Sequence, residues 1–293
     1  MARVTNIRDR TINTIIGAIL GIVVIIELYP FLYVVFASVS DAIDVSRNPI
    51  ILYPRKLTFA SYRYLFSVNL VWLGYYNTLI YTTLGTALNI TVTMLGAHSL
   101  AHPDFRGKRI ILFLIVLTMY FSGGLIPLYL VVRALGLLNT RAAVIIPVAV
   151  STWNLLIGRA YLMANIPQEM RDAAEVDGAN ELTFFLKIVL PLSVAVIAVL
   201  LLFYAMGHWN SFFSALIYLR NRNLFPLQVF LRELLVLEVD AENMIDDSIA
   251  ERAFLVLTLK YSLMVVAILP LLIIFPFLQR YFVKGVMIGA LKG

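Results

Sequence analysis

The chain has no cysteine among its 293 residues and only three histidines, His98, His102 and His208. Without cysteine there is no disulfide bond, no thiolate metal site and no cysteine nucleophile, and the histidines are too scattered to indicate a zinc site. The sequence also lacks a phosphate-binding G-x-x-x-x-G-K-S/T loop and local support for a Ser/His/Asp triad. It therefore predicts no catalytic residue, no metal ligand and no cofactor in this chain.

Charge is scarce as well. Charged residues make up 14% of the chain and hydrophobic residues 61%, whereas soluble domains carry about 25% charged residues. Six apolar stretches are each long enough to cross a hydrocarbon core of about 30 Å as a helix. The first is too long for a cleavable signal peptide. The sequence thus predicts an all-α, polytopic membrane protein with one transmembrane domain over residues 1–293 and spans near residues 12–37, 75–100, 110–132, 143–163, 193–215 and 257–278.

The net charge of +6 does not indicate nucleic-acid binding, because the basic residues are spread over all the loops and form no compact patch. The same even spread means that the positive-inside rule hardly decides the orientation.

A charged segment over residues 165–191 separates the fourth and fifth predicted spans. Asn165 is predicted to cap a helix there, Gly178 to end it in a left-handed conformation, and Asn180 to cap a second helix. A helix lying on lipid headgroups would combine basic residues with large apolar ones. This segment is net acidic with alanines on one face, which favours docking by another protein.

This segment resembles the hallmark of the inner-membrane permease subunits of binding-protein-dependent ABC importers, which reads Glu-Ala-Ala, three residues, Gly, nine residues, Ile-x-Leu-Pro. One position departs from it, since Asp172 stands where the family usually has Glu. The resemblance implies a cytoplasmic coupling-helix pair that transmits ATPase movement. It assigns ATPase coupling to Glu169, Asp172, Ala173, Ala174, Asp177, Gly178, Ile188, Leu190 and Pro191.

Three more stretches carry the resemblance further. Phe121–Tyr129 and Gly207–Phe212 resemble carbohydrate-type members of the family, and Gln279–Gly293 resembles the smaller subunit of maltose-type permeases. The resemblance implies oligosaccharide import by ATP-driven alternating access in the bacterial inner membrane, with both termini cytoplasmic. It also implies the partners: a second, homologous permease subunit, two ATPase subunits that bind ATP and Mg, membrane lipid, and a periplasmic or lipid-anchored solute-binding protein.

Two tryptophan–asparagine pairs are candidates for the substrate path, Trp153-Asn154 and Trp209-Asn210. An aromatic ring stacks on the apolar face of a sugar while an amide hydrogen-bonds its hydroxyls. Tryptophan belts at the membrane interface explain the rings equally well. The sequence leaves both interpretations open.

The loop over residues 217–254 is longer than most connections and separates basic from acidic residues, which suits an electrostatically steered partner. Contact with the solute-binding protein is predicted for Arg220, Arg222, Asp246, Asp247 and Glu251. An acidic, alginate-like glycan would suit the arginines expected near the outer mouth: Arg133, Arg141, Arg220 and Arg222.

A secondary, ion-coupled transporter of a small solute is the alternative. It would show inverted repeats or broken helices with ion-binding carboxylates at mid-membrane. Glu27 is the one carboxylate within a predicted span.

Overall fold

The computed structural model describes residues 7–48, 51–233, 258–274 and 276. Every regular element within these ranges is helical, in agreement with the all-α prediction. The chain divides into two compact units, Met1–Val68 with Leu231–Ile268 and Asn69–Phe230 with Leu269–Gly293.

The first unit contains α1 (Ile7–Ser38), α2 (Ala42–Arg47), α3 (Ala60–Ser67) and part of a helix over Thr258–Ile274. Hydroxyl groups join α1, α3 and the helix over Thr258–Ile274. Ser262 Oγ donates a hydrogen bond to Ser61 Oγ (2.8 Å), which donates to the Ser38 carbonyl (3.2 Å).

Tyr62 adds to this hydroxyl cluster, because its phenolic oxygen lies 2.8 Å from Ser38 Oγ. Burial raises the pKa of Tyr62 above its usual value, although the hydrogen bond with Ser38 opposes the shift. The phenol therefore stays protonated and remains a hydrogen-bonding group.

The second unit contains the remaining helices. Their bounds are α4 Asn69–Ala101, α5 Lys108–Tyr120, α6 Leu125–Ala134, α7 Ala142–Ile145, α8 Thr152–Asn165, α9 Gln168–Val176, α10 Glu181–Phe184, α11 Leu190–Leu192, α12 Val194–Trp209 and α13 Phe213–Tyr218. Short 3₁₀ turns lie at Ile146–Val148 and Arg222–Leu224, and a π-helical turn lies at Phe185–Val189. A further helix covers residues 227–233, of which 227–230 belong to this unit.

Within the described ranges, two helices are long and apolar enough to span a membrane, Ile12–Ser38 and Asn69–Ala101. Three helix pairs reach that length only if each bent pair counts as one span: Lys108–Tyr120 with Leu125–Ala134 (118°), Ala142–Val148 with Thr152–Asn165 (50°), and Glu181–Leu192 with Val194–Trp209 (81°). The helix Thr258–Ile274 is shorter. Each predicted span overlaps one of these features, and the count of six stays a prediction.

Helix α4 is the centre of the second unit, with α8 and α12 packed along it. The approach of α8 depends on small residues, since a Cβ on Gly158 would lie 3.3 Å from Ala97 Cβ. The core between these helices is apolar and includes Met94, Ala97, Leu100, Leu155, Leu162, Val196 and Leu200.

Helix α4 also carries a series of polar residues, most of which face this packed interior. Thr83 is an exception, being exposed and bonded to the carbonyl of Leu79 in its own helix (2.7 Å). Polar side chains in a membrane helix are expected to face other helices rather than lipid. The buried members are Asn77, Thr78, Thr86, Asn89 and Thr93.

Candidate functional site

Positions in the second unit can be described by their distance along helix α4. Near its start, Asn77 Nδ2 donates to the carbonyl of Asn223 (2.7 Å). Near its end, the carbonyl of Leu100 accepts from Arg159 Nε (3.1 Å). At a rise of 1.5 Å per residue these two contacts lie about 35 Å apart along the helix, and Asn89 lies about halfway between them.

A cavity of about 520 Å³ opens at this intermediate depth, between the stretches 147–154 and 203–214. We call it the mid-depth cavity. Aromatic rings of Phe203, Tyr204, Phe212 and Phe213 form part of its wall. Its polar groups come from Ser151, Asn154, His208, Asn210, Ser211 and Ser214.

Asn89 fixes one wall of this cavity. Its Nδ2 donates to the carbonyl of Val148 (2.6 Å), so its Oδ1 faces His208 Nε2, also 2.6 Å away. Because an amide oxygen can only accept, Nε2 of His208 carries the proton. Gly85 lies behind the imidazole, and a Cβ there would overlap the ring.

Thr93 and Tyr204 fix a second wall. Their hydroxyls are 2.6 Å apart, and the Tyr204 hydroxyl also accepts the backbone N–H of Ser151 (3.2 Å). Ser151 Oγ in turn accepts the N–H of Asn154 and caps α8. Both walls are therefore connected to α4 by buried hydrogen bonds.

The residues predicted for the substrate path separate into two groups. Asn154 and Asn210 line the mid-depth cavity. Trp153 is 61% exposed, whereas Trp209 is buried against Tyr75, with ring centroids 6.2 Å apart. Neither tryptophan is among the residues that line the cavity. Sequence reasoning missed its aromatic lining, for which no local pattern is diagnostic.

The arginines predicted near the outer mouth lie around the Asn77 end of α4. Arg141 Nη2 donates to Asn77 Oδ1 (3.0 Å), and the guanidinium lies over the Tyr76 ring, 5.9 Å from its centroid. Arg133, Arg220 and Arg222 are exposed. The acidic residues predicted with them, Asp246, Asp247 and Glu251, lie outside the described residues.

At the other end of α4, the 165–191 segment folds into α9, a turn, and α10. The prediction that Asn165 caps α9 is wrong, because α8 continues through Asn165, whose amide bonds the carbonyl of Tyr161 (2.9 Å). Helix α9 instead begins after Pro167.

The turn at Gly178 was predicted correctly. Gly178 has φ +77°, and its N–H donates to the carbonyl of Glu175 (2.9 Å), while the next N–H donates to the carbonyl of Ala174 (2.9 Å). Asn180 caps α10 as predicted, because its Oδ1 accepts the N–H of Thr183 (2.8 Å).

The hallmark residues of this segment divide between a buried and an exposed side. Ala174 packs with Phe184, Phe185 and Val189 into the core around α4. Ile188 and Leu190 are half-buried at its edge. The exposed residues are Glu169, Asp172, Ala173, Asp177, Gly178 and Pro191.

Glu181 attaches this segment to α4. One carboxylate oxygen lies 3.2 Å from His98 Nε2, and the other lies 3.3 Å from His102 Nε2 and 2.6 Å from Arg171 Nη1. The Arg171 side chain is only 12% exposed and also lies over the Phe184 ring. No local pattern in the sequence indicates this network, since its histidines and its carboxylate are distant in the chain. Within the part of the chain that the structure describes, no group is arranged to hold a metal ion.

Comparisons with known proteins agree with this architecture. The family described as "Binding-protein-dependent transport system inner membrane component" matches residues 90–288. "Polygalacturonan/rhamnogalacturonan transport system permease protein YtcP" of Bacillus subtilis (strain 168) is 35% identical over 98% of this chain and 100% of its own length. "Protein LplC" of the same organism is 37% identical over 94% of this chain and 92% of its own.

A solved structure is similar over the same extent. It is described as "Crystal structure of a bacterial ABC transporter involved in the import of the acidic polysaccharide alginate", and the likeness has a TM-score of 0.84 with 31% identity, covering 96% of this chain and 99% of that one. The matched family residues include those of the mid-depth cavity and of the 165–191 segment, and the similar proteins align over almost their whole length. The chain therefore belongs to the family of binding-protein-dependent transport system inner membrane components.

Proposed function

We propose that the chain is one of two transmembrane subunits of an ATP-driven importer that moves an acidic oligosaccharide into the cytoplasm. The mid-depth cavity carries this proposal, because it combines aromatic rings with amide and hydroxyl groups about halfway along the unit. Such a lining suits a sugar, which has apolar faces and hydroxyl edges. The names of two similar proteins refer to polygalacturonan and to alginate, which supports an acidic glycan.

The proposed path runs past Asn154 and Asn210, whose amides would hydrogen-bond sugar hydroxyls. Stacking of the sugar on Trp153 and Trp209 stays a prediction. Trp209 is buried near the cavity wall, so its contribution would need the wall to open during transport.

The 165–191 segment is proposed to dock on an ATPase subunit, which would bind ATP and Mg and supply all the hydrolysis. The exposed acidic residues of α9 would contact that subunit. Movement of the segment would reach α4 through Glu181 and His98. Helix α4 would then shift the cavity walls through Asn89 and Thr93, which hold His208 and Tyr204. This series of contacts would couple movement of the 165–191 segment to movement of the cavity walls, as alternating access requires.

A second permease subunit is proposed to cover α1. This helix is apolar and unburied over its membrane-length window, and it carries the exposed carboxylate Glu27. A carboxylate facing lipid is costly, so a polar group of the partner is expected beside it. Six spans, two cytoplasmic termini and a location in the inner membrane complete the proposed arrangement.

The solute-binding protein is proposed to dock at the Asn77 end of α4, opposite the ATPase. Arg220 and Arg222 belong to this end, and Asp246, Asp247 and Glu251 are proposed to contribute from the adjoining loop. Their separated charges would steer the binding protein into place.

The proposal is tested by reconstituting the chain with its permease, ATPase and binding-protein partners in liposomes. ATP enclosed in the liposomes should drive accumulation of an oligosaccharide delivered by the binding protein. Accumulation driven by an ion gradient without ATP would instead support a secondary transporter.

Replacing Asn154 by alanine should lower oligosaccharide uptake about tenfold, the loss expected for about 1.4 kcal/mol of hydrogen bonding. Asn154 is buried and lines the cavity. The matched control is Asn48→Ala, which removes an amide of the first unit outside this cavity. Equal uptake by the Asn154 variant and the wild type, per folded complex, would remove Asn154 from the path.

Replacing Glu181 by glutamine should lower uptake about threefold to tenfold, because a neutral amide weakens the contacts with His98 and Arg171. The effect is smaller than for a buried pair, since the Glu181 side chain is 60% exposed. Asp44→Asn on α2 is the control, because it weakens an ion pair with Lys56 (3.2 Å) outside the 165–191 segment. ATP hydrolysis and uptake should become uncoupled in the Glu181 variant; if hydrolysis still rises normally with the loaded binding protein, the network does not transmit the signal.

A further inference from the structure

A second pocket, of about 500 Å³, lies at the Asn77 end of the second unit. We call it the arginine pocket, because Arg133 at the end of α6 and Arg220 after α13 both line it. Among the residues that the structure describes, neither guanidinium has an acidic partner within ion-pair distance. Two like charges lining one pocket repel each other, and a bound anion would offset this repulsion.

Asn139 fixes the geometry of this pocket. Its backbone N–H donates to the carbonyl of Tyr218 (2.8 Å), and its Oδ1 accepts the N–H groups of Arg220 (3.0 Å) and Asn221 (2.8 Å). Asn139 has φ +61°, a conformation that asparagine tolerates better than most residues. The two loops are thereby clamped together, so Arg220 is held on the same pocket as Arg133.

Two tyrosines complete the lining. The rings of Tyr129 and Tyr218 stack with centroids 6.3 Å apart and planes 19° apart. Burial raises the pKa of Tyr218 above its usual value, so its hydroxyl stays neutral and can donate to an anion. The pocket thus offers charged donors, a neutral donor and aromatic surface.

The arginine pocket and the mid-depth cavity share one helix. Phe213 and Ser214 at the start of α13 line the cavity, and Ile217 and Tyr218 at its end line the pocket. Three helical residues, from Ser214 to Ile217, correspond to about 5 Å of rise. This short separation is within the length of an oligosaccharide, so one chain reaching both sites is part of the proposal below.

We propose that the arginine pocket binds the carboxylate of a uronate residue and so selects acidic glycans before they enter the mid-depth cavity. The inference rests on the proposed import function and adds that this subunit itself recognises the charge of the substrate. Arginine suits the task, since its planar guanidinium matches both oxygens of a carboxylate. The pocket has the chemistry for this group and no competing acid among its described neighbours.

The test compares uptake of an oligogalacturonate with uptake of its methyl ester, in which each carboxylate is replaced by an uncharged methyl ester group. The full importer is reconstituted with the double variant Arg133→Gln/Arg220→Gln. Uptake of the free acid should fall about tenfold, whereas uptake of the ester should change by less than about twofold. Arg133→Lys, which keeps the charge but loses the guanidinium fork, should give an intermediate loss for the acid alone. Arg63→Gln, an exposed arginine of α3, should change neither.

Each other outcome overturns the inference. Equal losses for the acid and the ester would mean that the arginines act on the fold or on the binding protein. No loss for either substrate would mean that the pocket does not contact the glycan. If the wild-type complex accumulates neither substrate with ATP, the import function itself is wrong and this inference fails with it. If the wild-type complex does accumulate substrate, only the role of the arginine pocket is under test.

Discussion

Replacing Gly178 by valine should lower ATP-driven uptake by about tenfold or more while leaving the chain inserted in the membrane. Gly178 has φ +77°, a conformation that costs an L-residue about 1–2 kcal/mol and a β-branched residue more. A Cβ at this position meets nothing within 4 Å, so the damage comes from the backbone alone. The turn directs α10, and with it Glu181, toward α4, and a changed turn would move the docking surface away from the ATPase.

The matched control is Gly107→Val. Gly107 has φ +81°, and a Cβ there would also meet nothing within 4 Å, but this glycine precedes α5 and lies outside the 165–191 segment. The Gly107→Val variant should have the same local backbone strain but should still couple ATP hydrolysis to uptake. The measurement is ATP hydrolysis and uptake per inserted complex for both variants. Wild-type coupling in the Gly178 variant would contradict the docking role of this segment.

Replacing Gly85 by alanine should destabilise the folded protein by about 1–3 kcal/mol, because the new methyl group would collide with the buried His208 ring. The ring cannot move away without losing its hydrogen bond to Asn89 (2.6 Å). Since this contact holds a cavity wall, uptake per folded complex should fall too.

Gly17→Ala, measured like the Gly85 variant on the chain without its partners, is the control, because Gly17 also lies in a long apolar helix but has open space around it within this chain. The control should leave the midpoint of thermal unfolding in detergent unchanged or slightly raised, since alanine favours helices over glycine. A similar midpoint for both variants would show that the His208 wall is not tightly packed.

Local signals in the sequence predicted local structure well. A glycine two residues beyond the last helical residue and an asparagine before a new helix were sufficient to place the turn at Gly178 and the cap at Asn180. The error at Asn165 has a physical reason: the residues before it continue the helix equally well, and Pro167 sets the start of α9 instead.

Long-range contacts could not be predicted in this way. Thr93 meets Tyr204 and His98 meets Glu181 across large separations in sequence, and no periodicity indicates such pairs. The aromatic–amide pairs show the same limit. Adjacent helical residues point about 100° apart, so the pair Trp153-Asn154 did not reveal that the amide lines the cavity while the ring is exposed.

The central claim is that the mid-depth cavity is the transport path and opens alternately to the two sides. The chain has no cysteine, so Ser211→Cys would place a single thiol of this subunit in the cavity. A membrane-impermeant thiol reagent is added from outside to the reconstituted importer, with and without nucleotide trapping, and Ser46→Cys on α2 serves as the exposed control.

The account predicts that nucleotide trapping raises the labelling rate of Ser211→Cys by about tenfold or more, in line with a population shift of at least about 1.4 kcal/mol. A saturating oligosaccharide should then lower that rate, and the rate for Ser46→Cys should stay constant throughout. If labelling of Ser211→Cys responds neither to trapping nor to the oligosaccharide, the cavity is not the path.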